Sequence, residues 1–237
     1  VSVQEKARKV SPALTTYIGA VFNNGFVTRL LDLSLRANTS EDEDFEHEIT
    51  RLCRSMQRAQ GASWVLPLAT AAATVDLVAE VLVSSLRTRL PAGFEERLGL
   101  AAGGRPVEEY LSDAASVIRK LDSEVVPGYG GLPMAPWEVS LAFPEVIDFK
   151  YWVETDEFET LDECLWAGFD SMHPGECASR ATALIAQTQE ALLLFPDPDA
   201  LRSTLSQSIP WVSRDVLLEI VRKGNEHLAE LHGVSGR

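Results

Sequence analysis

Residues 64–86 read WVLPLATAAATVDLVAEVLVSSL, an almost unbroken apolar run that a folded chain can place in only two ways. It is long enough to cross a bilayer as a helix. However, Asp76 and Glu80 lie near its middle, and each charge would cost about 2.5–3.5 kcal/mol at a bilayer centre. The segment therefore reads as a helix buried in the core of a soluble protein. Leu68, Ala71, Ala72, Val75, Val78, Leu82 and Leu86 keep helical spacing, which predicts a helix over 67–90. Pro91 and Gly93 end it.

Helix punctuation recurs along the chain. Ser11-Pro12 opens a helix toward Phe22, and Asn23-Asn24-Gly25 interrupts it. Phe26, Leu30, Leu31 and Leu33 then resume the helical period. Ser40 with Glu43 makes a capping box for a helix over 41–60, with four acids at its start where the helix dipole favours them. Further helices are expected over 94–100 and 107–121. Residues 127–136, PGYGGLPMAP, cannot continue a helix. Beyond them Thr160 and Glu163 cap a helix over 161–169, and another runs from near Pro174 to Leu194. Phe195-Pro196-Asp197-Pro198 is a turn before a short helix, and a last helix runs from near Ser213 to His232. Strand signals are sparse. The expected fold is all-α, an irregular multi-helix bundle in two helical subdomains, 1–126 and 138–237, joined by a Gly/Pro-rich linker at 127–137.

The sequence holds no phosphate loop, dinucleotide-binding glycine pattern or nucleophile elbow. Two pairs have the spacing of metal ligands. Asp44 and His47 resemble half of a helical carboxylate–histidine site, but no second Glu-x-x-His occurs around Glu226, His227 and Glu230 to complete it. His173 and Cys177 are spaced i, i+4, yet Pro174 between them reads as a turn feature rather than a zinc site. The expectation is therefore a protein without catalytic residues, cofactor or stoichiometric metal. Three cysteines with no CxxC pair point to the cytoplasm, and VSVQEKARKV at the start has no apolar run of a signal peptide after it.

The charge is unevenly spread. The chain carries −14, and residues 141–200 hold thirteen acids against two bases. So acidic a protein is a poor match for nucleic acid or for anionic membrane surfaces. Within DFKYWVETDEFETLDECLWAGF (148–169), seven acids face Lys150 alone, interleaved with aromatic rings. Carboxylates steer the encounter with a basic protein, and aromatic anchors supply the desolvated contact. Asp148, Tyr151, Trp152, Glu154, Asp156, Glu157, Glu159, Asp162 and Glu163 are the expected partner-binding residues.

FPEVIDFKYWVETDEFETLDECLWAGF (143–169), followed by a helix and then ALRSTLSQSIPW (200–211), resembles a group of bacterial immunity proteins of contact-dependent growth inhibition and related polymorphic toxin systems. The shared elements are a Phe-Pro-Glu start, an acidic and aromatic middle, a Thr-x-x-Glu cap and a short apolar helix near the end. They cover roughly the last hundred residues. The resemblance implies a cytosolic, non-enzymatic protein that binds and neutralises a cognate toxin domain, often a basic nuclease. Two other readings stand beside it: an all-α enzyme with a carboxylate-lined, metal-dependent site, and a helical adaptor for another basic partner.

Overall fold

Alternating apolar faces and helix breakers give the chain an all-α fold, with no strand among the described residues. The computed structural model describes residues 25–39, 44–58, 66–124 and 128–232. The expected helix over 12–22 and the Ser40–Glu43 capping box lie outside these residues. The chain divides into two compact units between Leu132 and Pro133.

The first unit holds α1 (Phe26–Thr39), α2 (Phe45–Arg58), α3 (Leu68–Val83), α4 (Phe94–Ala101) and α5 (Val107–Ser123). The helix α3 packs along α5, α2 lies on both α1 and α5, and α4 lies on α1. Leu68, Ala71, Ala72, Val75, Val78 and Val81 form the buried stripe of α3. The two acids that argued against a membrane span lie off that stripe: Asp76 pairs with Arg119 of α5, and Glu80 faces solvent. No helix among the described residues is long and apolar enough to cross a membrane.

Polar groups inside this unit are paired, as burial requires. The Ser34 hydroxyl donates to the Leu30 carbonyl at 2.8 Å, so the fully buried Tyr110 hydroxyl donates to Ser34 Oγ, also at 2.8 Å. Burial pushes the Tyr110 phenol up to about 12. Arg54 is buried with its guanidinium 4.2 Å from the Tyr129 ring centre, and it donates to the Leu132 carbonyl at 2.7 Å. Asn38 donates to the Leu100 and Ala101 carbonyls, closing the end of α4. Its side chain occupies the space where a Cβ on Gly103 would fall, and Gly103 has a left-handed φ of 63°.

The second unit holds α6 (Pro136–Ala142), α7 (Pro144–Asp148), α8 (Lys150–Glu154), α9 (Leu161–Ser171), α10 (Thr182–Leu194), α11 (Pro198–Leu205) and α12 (Arg214–His232). A π-helical turn at Cys177–Ala181 precedes α10. The long α12 packs on both α9 and α10, with α8 against α9 and α7 against α10. Gly224 makes the α12 contact possible: a Cβ there would stand 2.6 Å from Ile185 Cγ1 and 2.7 Å from Phe169 Cζ. Asp197 caps α11 by accepting from Ala200 N at 3.1 Å, and Pro198 takes its first position.

The structure shortens two expected helices. The helix α3 ends at Val83 rather than near residue 90, because Ser84 turns extended and its hydroxyl accepts from Leu86 N. A 3₁₀ turn over Ser85–Arg89 follows, leaving Leu86 exposed rather than in the apolar stripe. The helix expected from Pro174 is regular only from Thr182.

Val78 has no exposed surface, and α5 packs along its helix. Val78→Asp would bury an unpaired carboxylate and should cost at least about 3 kcal/mol. Urea denaturation followed by circular dichroism checks this, as a fall in the unfolding midpoint.

Candidate functional site: an acidic face and a histidine–cysteine cluster

The acidic stretch folds as α7, α8, a loop over residues 155–160, and the first turn of α9. Thr160 starts α9 with a reciprocal cap: its hydroxyl accepts from Glu163 N at 3.2 Å, and Glu163 accepts from Thr160 N at 3.1 Å. Phe149 is buried against Phe169, with ring centres 5.4 Å apart. Trp152 is half-buried and meets Tyr151 edge-on. Gly168 lets both Phe149 and Trp152 approach α9, since a Cβ there would stand 2.6 Å from Phe149 Cζ and 2.8 Å from Trp152 Cγ.

Eight of the nine expected binding residues are exposed, and Trp152 is the half-buried one. Their carboxylates are not equivalent. Glu163 is engaged in the cap. Glu154 pairs with Lys150 at 3.6 Å. Glu157 accepts a 2.6 Å hydrogen bond from the Tyr151 hydroxyl, and that bond raises the Tyr151 phenol. Asp162 is held by Lys223 and Arg222, each at 2.7 Å, and these two partners lower its carboxyl. Asp148, Asp156 and Glu159 have no hydrogen bond or ion pair among the described residues, so they present the least compensated charge. Two large apolar rings stand exposed beside them: Tyr151 at 52% and Phe158 at 37%. Trp166 lies half-buried under Lys223, whose Nζ is 5.6 Å from its ring centre. Phe169 is fully buried.

A second constellation lies at the far end of α9. His173, in the turn after α9, and Cys177, at the head of the π turn, meet His227 and His232 from α12. One donor atom from each of the four lies within 4.8 Å of all the others. His173 Nδ1 is 3.2 Å from His232 Nε2, and Cys177 Sγ is 3.3 Å from His227 Nε2 and 3.8 Å from His173 Nδ1. Cys177 and His227 are buried, while His173 and His232 face solvent. The far nitrogen of His227, Nδ1, is buried without a hydrogen-bond partner. Burial, then the neighbouring His173 and His232, hold the His227 pKa below the ordinary imidazole range.

Sequence reasoning paired His173 with Cys177 but set the pair aside, and it tested His227 only against Glu-x-x-His spacing. The missed signal was His227-x₄-His232, which falls within the spacing of paired zinc-binding histidines. The other weighed pair is structural: Asp44 Oδ1 accepts from His47 N at 3.1 Å, a helix cap for α2.

Gly168→Ala should destabilise the protein by about 1–3 kcal/mol, because the added methyl must displace Phe149 and Trp152 from α9. The unfolding midpoint in urea measures this, and a value equal to wild type would mean that the rings do not pack so closely. Compared with protein-family models, with curated proteins and with solved structures, the chain matches none.

Proposed function

We propose that this is a non-enzymatic binding protein of the cytoplasm, whose face over residues 148–163 takes a basic protein partner. The partner is a toxin domain that the bound protein neutralises. The observation that carries this reading is the exposure of the acidic stretch together with two large rings. Asp148, Asp156 and Glu159 offer charge that no cation among the described residues pairs with, and Tyr151 and Phe158 offer apolar surface beside it. Such a face steers a cationic partner over long range and holds it by desolvated aromatic contact.

Because Trp152 also packs at Gly168, its truncation would disturb the fold as well as the face. Tyr151 and Phe158 are the cleaner probes. With a basic toxin domain that the wild type binds as partner, the Asp156→Lys, Glu157→Lys double variant should slow association about tenfold at low salt. The difference should shrink as salt rises, since exposed charges are screened beyond about 8 Å at physiological ionic strength. Phe158→Ala should mainly speed dissociation. Surface plasmon resonance at two salt concentrations resolves the two effects. Binding unchanged by the charge reversal would overturn the face, and no binding by the wild type to any such domain would overturn the partner class.

A further inference from the structure

We propose that His173, Cys177, His227 and His232 form a tetrahedral zinc site that clasps the end of α12 to the turn after α9. The distances fit such an ion. With zinc–nitrogen bonds of about 2.0–2.1 Å and a zinc–sulfur bond of about 2.3 Å, a tetrahedron has nitrogen–nitrogen edges of about 3.3 Å and nitrogen–sulfur edges of about 3.6 Å. Three of the six edges are 3.2 Å between His173 and His232, and 3.3 and 3.8 Å from Cys177 to His227 and His173, and the other three lie within 4.8 Å. Hydrogen bonding satisfies such groups in pairs and does not require four lone-pair donors to converge on one centre. A cation does.

The ligand types narrow the ion. Three imidazoles and a thiolate suit zinc and disfavour magnesium or calcium, which take oxygen ligands. The spacings His173-x₃-Cys177 and His227-x₄-His232 supply two short-range pairs from separate segments, the arrangement of structural zinc sites. All four tetrahedral positions are filled by protein, which makes the site structural rather than catalytic. This proposal departs from the expectation of a metal-free protein, which residue spacing suggested.

The site is independent of the binding face, so its failure would leave that proposal standing. The test uses the full chain, stripped with chelator and dialysed against zinc chloride or cobalt(II) chloride. Elemental analysis should give one equivalent of zinc. Cobalt should give the intense visible absorption of a tetrahedral ion together with a thiolate charge-transfer band. Zinc should raise Tm by several degrees, since an ion that binds only the folded state stabilises it. Because Cys177→Ser and His227→Ala alter buried positions and can fail to fold, the solvent-facing His173→Ala, His232→Ala double variant is the decisive one. It should stay folded, bind zinc at least a hundredfold more weakly and lose the tetrahedral cobalt spectrum, whereas His47→Ala should keep both. Failure of the wild type to take up either metal would overturn the proposal. Retention of the spectrum and affinity in the double variant would overturn it too.

Discussion

The second unit depends on how closely α12 can approach α9 and α10. Gly224 sets that distance, because its missing side chain leaves room for Ile185 and Phe169 at the helix surface. Close approach aligns two sets of polar contacts on one helix. One face of α12 delivers Arg222 and Lys223 to Asp162, at the start of α9. Further along, the same helix delivers His227 and His232 to His173 and Cys177, beyond the end of α9. Packing of apolar groups, which carries most of the free energy, therefore also fixes the polar geometry.

The acidic region then divides by what its charges already do. Arg222 is bonded to Glu219, Asp162 and Glu226, and these bonds raise its affinity for its proton. Exposed pairs of this kind contribute little to stability. They do decide which carboxylates remain to interact with anything else. Asp162 is committed to Arg222 and Lys223, so the least compensated charge lies on Asp148 at the end of α7 and on Asp156 and Glu159 in the loop before α9. The acids of residues 141–200 thus divide into paired and unpaired groups that net charge alone cannot separate.

Much of the helical architecture was legible because helices announce their ends. Thr160 with Glu163, Asp197 with Pro198, and the apolar stripe of α3 are local signals, and each specifies its structure within a few residues. The extent of α3 was misjudged because Leu86 continued the apolar period past Ser84, whose hydroxyl competes for a backbone N–H and breaks the helix. The exposure of the acids between residues 154 and 163 was legible from their charge. The half-buried position of Trp152 was not, because it depends on the absence of a side chain at Gly168, on another helix. The histidine–cysteine cluster was half legible: each pair has ligand spacing, but fifty residues separate Cys177 from His227. Only the docking of α12 joins them.

The distance along α12 from Gly224 to His232 acts as a ruler. A helix turns by 3.6 residues, so one residue inserted between Gly224 and His227 would rotate both histidines by about 100° relative to the glycine contact. The apolar packing at Gly224 could survive such an insertion, but the four donor atoms could no longer meet. Adding a whole turn would restore the rotation but carry the histidines about 5.4 Å along the axis, so the spacing from Gly224 matters to the residue, a restriction that no single substitution would reveal.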